Sequence, residues 1–161
     1  MISANQLKEF SFFKGFGEEE LAKLAAVAAE ETHDAGTQMY KNGDPARALF
    51  MIEEGKVVMV MDSYLGPHKP PMQVTVDVVT KGESMGWSAL VDPFIYTLGA
   101  LCIDRTRVIV FDAARLRKLM EEDCALGFRM MKATAKIIAN RLTHTRIILV
   151  GERGLATLTE Y

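Results

Sequence analysis

The order in which helix-like and strand-like segments follow one another constrains this chain more than any other feature. Residues 18–31 carry apolar side chains at helical spacing after three acidic residues that favour a helix N-terminus, so they predict an amphipathic helix. Residues 32–112 form short β-rich runs separated by glycine, asparagine and proline. Helical spacing returns in residues 113–123 and, over a longer stretch, in residues 126–150. The predicted fold is therefore mainly β with flanking helices, the strands forming a compact antiparallel sandwich or barrel.

The composition is that of a packed globular protein. Of the 161 residues, 49% are hydrophobic and 25% are charged, which excludes a disordered or collagen-like chain. We expect a single domain with N-terminal helices in residues 1–31, strands in residues 32–112, two helices in residues 113–150 and a tail in residues 151–161. The formal charge of −2 gives no global field that would attract nucleic acid or anionic lipid.

The sequence carries no membrane or secretion signal. No stretch approaches the roughly 18 consecutive apolar residues of a transmembrane helix, and the N-terminus lacks the basic and apolar regions of a signal peptide. The two cysteines, Cys102 and Cys124, are too few for a disulfide framework, so we expect both to be reduced, buried thiols. These features predict a cytoplasmic protein with no membrane partner.

Residues that could support catalysis are scattered. His33, His68 and His144 lie far apart in sequence, and no two of them have the spacing that holds a metal ion on one strand or helix. The chain also lacks a nucleophile elbow, a P-loop and a glycine-rich dinucleotide motif. We therefore expect no catalytic residues, no metal site and no enzymatic activity.

Two rows of apolar positions run along the long helix. The first row is Phe128, Met131, Ala135, Ile138, Leu142, Thr145 and Leu149. The second row is Met130, Ala133, Ile137, His144 and Ile148. Either the helix lies once across the strands, or one row packs on the strands and the other on the same helix of a second subunit. The second interpretation predicts a homodimer through this helix.

The segment 81–102 departs most from ordinary strand-and-turn sequence. A tight turn ending at Gly86 is followed by four residues that are enough for one helical turn, namely Trp87, Ser88, Ala89 and Leu90. The free N–H groups at the start of such a turn attract anions, and its small residues allow close approach. This arrangement favours ligand binding over simple packing.

The element order resembles a known family. Helix, strands with a helical insertion and two further helices is the order of the cyclic nucleotide-binding domain in catabolite activator and FNR-type regulators, and residues 10–149 resemble that domain. Gly43-Asp44, the apolar run after it and Gly55 are similar to the family's Gly-Asp turn, strand and second turn glycine. Gly86 to Leu90 fall where the family has its phosphate-binding cassette. The resemblance implies a double-stranded β-helix, a jelly-roll-like β-roll, with a long C-terminal dimerisation helix.

Two positions depart from the family's pattern. Where the family has a glutamate for the ribose hydroxyl, this chain has Trp87, and where it has an arginine for the cyclic phosphate before a small hydroxyl residue, this chain has Tyr96 and Thr97. Loss of a charge-assisted phosphate contact costs a few kcal/mol of binding free energy. The cassette is therefore more aromatic and less cationic than a cyclic nucleotide requires. Trp87 and Tyr96 either shape a pocket for another ligand or fill the cavity.

The long helix supplies further candidates. Residues 139–142 resemble the family stretch shortly before its base-contacting hydroxyl residues, which makes Arg141, His144 and Thr145 candidate pocket residues. His144 is alternatively a histidine of the subunit interface.

These features lead to one expected function and two alternatives. Only eleven residues follow Val150, too few for a helix-turn-helix, so we expect no direct DNA binding and either a stand-alone sensor with an unidentified protein partner or a piece of a larger regulator. We expect a non-enzymatic ligand-sensing regulatory domain whose ligand is a small anionic or aromatic molecule other than a cyclic nucleotide. The alternatives are weak cAMP or cGMP binding with charge from Arg141 or Arg146, and a ligandless dimeric interaction module.

Overall fold

Short helical elements open the chain. The computed structural model describes residues 1–64 and 66–159. It begins with helix α1 (Ala4–Lys8), a 3-10 helix (Ser11–Phe13) and helix α2 (Glu18–Ala25). The Glu20 carboxylate accepts a hydrogen bond from the Gly17 N–H at 2.8 Å, which satisfies one of the free donors at the start of α2.

In the described part of the chain, eight antiparallel strands follow and form two four-stranded sheets. The strands are β1 (Ala28–His33), β2 (Gln38–Tyr40), β3 (Ala48–Glu54), β4 (Lys56–Ser63), β5 (Met72–Thr80), β6 (Ser84–Met85), β7 (Gly99–Cys102) and β8 (Thr106–Asp112). One sheet has the order β1-β8-β3-β6 and the other the order β2-β7-β4-β5. The predicted β-roll with flanking helices is confirmed. The predicted hairpin loop between β4 and β5 is also present, although Leu65 in it lies outside the described residues.

The boundary between α2 and the sheet differs from the prediction. The helix expected over residues 18–31 ends at Ala25, and Ala28–His33 is strand β1, so the sheet begins four residues earlier than residue 32. Ala28 is paired with Phe111 and Glu31 with Val108 along β8. Alanine and glutamate favour helices, but pairing with β8 outweighs that local preference because it supplies a ladder of backbone hydrogen bonds.

Among the described residues, two helices follow the last strand. Helix α3 (Ala113–Glu122) is capped by the Asp112 carboxylate, which accepts from the Arg115 N–H at 2.9 Å. Helix α4 (Cys124–Thr159) begins before residue 126 and continues past residue 150. The expected tail 151–161 is therefore helical through Thr159, and its last two residues lie outside the described ones. The segment after residue 150 contains no proline, so the backbone hydrogen bonds of α4 continue unbroken.

The two faces of α4 are unequal in burial. Leu126, Met130 and Thr134 are fully buried against the rest of the protein, with Ala133 and Ile137 partly buried beside them. The other predicted row is largely exposed, as Phe128 at 70% and Leu142 at 48% illustrate. The first half of the second predicted row, Met130, Ala133 and Ile137, thus packs within the chain, whereas His144 and Ile148 of that row and most of the first row are exposed.

The two cysteines differ in environment. Cys102 is buried in β7, as expected, and burial raises the pKa of its thiol. Cys124 was expected to be buried as well, and this was wrong, because it is the first residue of α4 and lies exposed where α3 bends into α4.

Candidate functional site

We use the name cassette for residues 82–97, which include the predicted positions 86–90, 96 and 97 and have the expected tight turn and helical turn. Gly86 adopts a left-handed conformation with φ 81°, and a Cβ atom there would lie 2.9 Å from the Ala48 carbonyl oxygen. Glycine is therefore required both by the turn and by the close approach to β3. Residues Trp87–Leu90 form one turn of 3-10 helix directly after it.

The predicted cassette residues differ in exposure. Ser88, Ala89 and Leu90 are buried, so the helical turn packs on the protein through its small residues. Trp87 is half-buried, and Thr97 is exposed. The helical turn is thus part of the packed structure, and only its first residue, Trp87, reaches the surface.

Tyr96 is held in the β-roll by hydrogen bonds and by ring stacking. Its hydroxyl donates to the Ala48 carbonyl at 2.6 Å and accepts from the Ala48 N–H at 3.1 Å. Its ring stacks on Tyr40 with the centroids 3.7 Å apart, and Tyr40 in turn stacks on Phe50 at 5.9 Å. Burial raises the pKa of the Tyr96 phenol, so the hydroxyl is protonated and able to donate at neutral pH. Tyr96 therefore acts as a clasp between the cassette and β3.

Backbone hydrogen bonds hold the end of the cassette to the turn before β3. The Gly43 N–H donates to the Tyr96 carbonyl at 2.8 Å, and the Tyr96 N–H donates to the Asp44 carbonyl at 2.9 Å. The Ala46 N–H donates to the Phe94 carbonyl at 2.8 Å. The Gly-Asp turn singled out in the sequence is thus the partner of the cassette, a relationship that the sequence did not reveal.

Arg117 of α3 is a cassette contact that sequence reasoning missed. Its guanidinium donates to the Ala89 carbonyl at 2.7 Å and lies 4.3 Å from the centre of the Phe94 ring. Arg117 follows the buried Ala113 by four residues and so lies on the inward face of α3. An arginine on the otherwise apolar face of a predicted helix is a sequence signal that could have identified Arg117 as a contact of the cassette.

Arg141 of α4 forms ion pairs with two acidic residues of the β-roll. Its guanidinium is paired with the Asp77 carboxylate of β5 and lies 3.7 Å from the Glu83 carboxylate of the cassette. Glu83 also accepts from the Thr80 N–H at 2.8 Å, which orients it. Asp77 was also missed, although an acid inside a β-rich run is unusual. It lies opposite Met59, next to a shift in the strand register.

Among the described residues, the other two candidates on α4 have no hydrogen bond or ion pair with the cassette. His144 and Thr145 are exposed, and the Thr145 hydroxyl donates to the Arg141 carbonyl one turn earlier. Their role as pocket residues stays a prediction. Of the three predicted helix residues, the structure brings only Arg141 to the β-roll.

A cavity lies beside the Tyr96 clasp. It has a volume of ≈ 350 Å³ and is lined by Met39, Tyr40, Asp44, Pro45, Arg47, Ala48, Phe50 and Tyr96. Most of these residues are apolar or aromatic, and Arg47 brings the only positive charge. Among the described residues, no group of three or more histidine, cysteine or acidic side chains could hold a metal ion.

The charge of the cassette opposes anion binding. Residues 82–97 contain Glu83 and Asp92 but neither lysine nor arginine. Two arginines that contact it, Arg117 and Arg141, are engaged with a backbone carbonyl and with carboxylates. A phosphate group in the cassette would therefore meet acidic side chains and no free cation from the cassette itself.

Comparison with known proteins identifies the family. The model of the cyclic nucleotide-binding domain matches residues 30–123, more than half of the chain. The chain belongs to the cyclic nucleotide-binding domain family. The matched residues of this domain run from β1 to the end of α3 and include the whole cassette.

Solved structures share the fold of this cyclic nucleotide-binding domain. It is 30% identical to a Geobacter metallireducens GS-15 protein assigned to the same family, with a TM-score of 0.78, covering 88% of this chain and 99% of that one. The catabolite activator protein of Thermus thermophilus is 20% identical, with a TM-score of 0.67, covering 86% of this chain and 61% of that one. The second similarity concerns the fold alone.

A curated relative is much longer than this domain. Over 139 residues the chain is 27% identical to Glutaminase 1 of Bradyrhizobium diazoefficiens, which covers 85% of this chain and 21% of that protein. The chain thus spans about a fifth of that relative. None of the described helices combines the length and apolar character that a bilayer span requires.

Proposed function

We propose that this chain is a non-enzymatic, ligand-responsive regulatory domain whose ligand is not a cyclic nucleotide. The observation that carries the proposal is the Tyr96 clasp on Ala48, at the position where the family resemblance calls for a phosphate-binding arginine. Residues 82–97 contain two acidic residues and no lysine or arginine. This composition supports the proposal, because a cyclic phosphate needs a compensating positive charge.

The cavity beside Tyr96 suggests the ligand class. Tyr40, Phe50 and Tyr96 give it an aromatic lining, and Arg47 offers a cation at the same cavity, which Asp44 also lines. A small aromatic molecule with an anionic group fits the rings and Arg47, because aromatic groups pack on one another and carboxylates pair with a guanidinium. The Glutaminase 1 activity is not part of the proposal, because the chain matches only 21% of that protein.

The contacts of the cassette suggest how a ligand would produce an output. The cassette is hydrogen-bonded to β3 through Tyr96 and to α3 through Arg117. Its Glu83 carboxylate is paired with Arg141 of α4. A ligand beside Tyr96 that shifts the cassette would change the contacts of both helices together. The exposed row of α4, with Met131 at 40% and Leu142 at 48%, is the surface that would respond, and we propose that it forms a homodimer.

Titration with cyclic nucleotides tests the first part of the proposal. We expect no binding heat with cAMP or cGMP up to millimolar concentration, and no change in the fluorescence of Trp87, the single tryptophan. Micromolar binding would overturn the proposal. It would support the alternative in which Arg141 or Arg146 supplies the charge.

A set of aromatic carboxylates, screened by ligand-observed NMR, tests the second part. We expect binders whose affinity falls about tenfold in Arg47→Gln, because the charge-assisted pair is lost. Arg105→Gln is the matched control, since Arg105 is exposed and lies outside the cavity. Absence of any binder would favour a ligandless interaction module, and equal binding to both variants would show that Arg47 does not contact the ligand.

A further inference from the structure

A second concavity borders the exposed apolar row of α4, and Phe128 contributes to both. It has a volume of ≈ 870 Å³ and runs between the 3-10 helix Ser11–Phe13, the loop after it and the first half of α4. We call it the α4 groove. It is larger than the cavity at Tyr96 and shares no residue with it.

The α4 groove combines an apolar lining with unpaired positive charge. Phe16 and Ile137 are half-buried in it, and Phe128 at its edge is 70% exposed. Lys14, Lys132 and Lys136 also line it and are exposed. Across the described part of the chain, none of these three lysines has a carboxylate within ion-pair distance.

The two walls of the groove are held together by an arginine. Arg129 of α4 donates to the Gly15 carbonyl at 2.7 Å and pairs with the Glu20 carboxylate of α2 at 3.1 Å. The Glu20 side chain is only 16% exposed, so the pair is partly shielded from water. These contacts join the loop after the 3-10 helix and α2 to α4 and so help to set the spacing of the groove walls.

We propose that the α4 groove is the docking site for an acidic, amphipathic helical segment of a protein partner. The apolar lining would take the apolar face of the segment, and the three lysines would face acidic side chains along its flanks. Helix-in-groove binding suits a concavity that follows a helix over about four turns. We assign a negative charge to the partner segment by charge complementarity, because every unpaired charge named in the lining is positive.

The groove adjoins the proposed dimer surface at Phe128. Lys136 lies on a different side of α4 from Met131 and Leu142, so the two surfaces differ in most of their residues. A partner in the groove would contact α4 and the N-terminal elements together and would respond to movement of α4. Peptide binding is measured without any cassette ligand, so failure here is distinguishable from failure of the proposed ligand-sensing function.

A fluorescent helical peptide of about 16 residues, long enough for roughly four turns, tests the proposal. Leucine and phenylalanine form one face of this peptide, and glutamate flanks that face. We expect saturable binding in fluorescence anisotropy that weakens with salt. The double variant Lys132→Glu, Lys136→Glu should weaken binding at least about tenfold and should gain affinity for the same peptide with lysine in place of glutamate.

The matched control is the double variant Lys69→Glu, Lys81→Glu. Both of its residues are exposed lysines outside the groove, and the net charge changes by the same amount. Equal loss of binding in both double variants would overturn the proposal. No binding of the acidic peptide would overturn it too, as would binding of the wild type to anionic phosphatidylserine vesicles without binding of the peptide.

Discussion

The hydroxyl of Tyr96 forms two hydrogen bonds with the backbone of a single residue, Ala48, accepting from its N–H at 3.1 Å and donating to its carbonyl at 2.6 Å. A side chain of the cassette thereby takes the place of a strand partner at the start of β3. The Tyr40 ring, stacked 3.7 Å from that of Tyr96, fixes the direction from which the hydroxyl approaches.

Tyr96→Phe should lower the free energy of unfolding by about 1–3 kcal/mol, because it leaves the buried Ala48 backbone groups without their partner. The ring and its stack on Tyr40 are kept, so the fold itself is expected to persist. Urea unfolding measures the effect. Tyr64→Phe is the control, since Tyr64 is 76% exposed and its hydroxyl should contribute nothing measurable. Equal stability of the two variants would show that the clasp has no energetic role.

Gly127→Ala should destabilise the contact between α3 and α4 by about 1–3 kcal/mol. A Cβ atom at Gly127 would lie 2.5 Å from the Met120 carbonyl oxygen, and a backbone atom inside a helix cannot move aside cheaply. Thermal unfolding measures the loss. Gly151→Ala is the matched control, because a Cβ there meets nothing within 4 Å, and alanine favours the helix by up to about 1 kcal/mol. A neutral Gly127→Ala would contradict the close packing of the two helices.

Arg141→Met should loosen the attachment of α4 to the β-roll while leaving the core intact. The variant keeps the apolar stem but removes the pairs with Asp77 and Glu83. We expect faster amide hydrogen exchange in α4 beyond Thr134, with exchange in β3 and β8 unchanged. Arg146→Met provides the comparison, because Arg146 is exposed on the same helix. Similar exchange in both variants would argue against Arg141 as the attachment.

The pair of Lys23 and Asp123 should make stability depend on pH. Lys23 donates to Asp123 at 2.7 Å, which lowers the pKa of the carboxyl below its ordinary 3.8 and raises the pKa of the ammonium above its ordinary 10.5. The contribution is therefore present between these two values and is lost as the pH falls through the lowered carboxyl pKa. At higher pH it is lost as the pH rises through the raised lysine pKa.

Asp123→Asn isolates this contribution. Asparagine can still accept from the Leu126 N–H at the start of α4, so the helix cap is kept while the charge is lost. We expect the stability difference between wild type and variant, measured by chemical denaturation, to shrink as the pH falls below the ordinary carboxyl value. A difference that does not change with pH would show that the ion pair contributes nothing.

Leu142→Glu should convert a dimer into a monomer in light scattering at micromolar concentration. Leu142 is 48% exposed in the middle of the open apolar row, and a carboxylate buried at a subunit contact would be strongly unfavourable. Thr143→Glu adds the same charge to a neighbouring, exposed position and should leave the dimer intact. A wild-type protein that is monomeric at this concentration would contradict the proposed interface.

Local signals were sufficient for most of the architecture. The strand runs, the turn glycines Gly43 and Gly55, and the tight turn at Gly86 were recognisable because glycine and alternating apolar residues act over a few neighbouring positions. The same reasoning failed for residues 28–31, where helix-favouring alanine and glutamate form strand β1. Their conformation is set by β8, about eighty residues further along the chain, and no local pattern carries that information.

By itself, the sequence determined the fold class, the position of the cassette and the absence of cationic residues within it, since each depends on residue type and short spacing. The tertiary structure decided what those residues contact. It brought Tyr96 into hydrogen bonding with Ala48, Arg117 with Ala89 and Arg141 with Asp77. The two residues of these pairs are 48, 28 and 64 positions apart in the sequence. Hydrogen bonds between such distant residues depend on how the sheets and helices pack, and packing is a property of the whole chain.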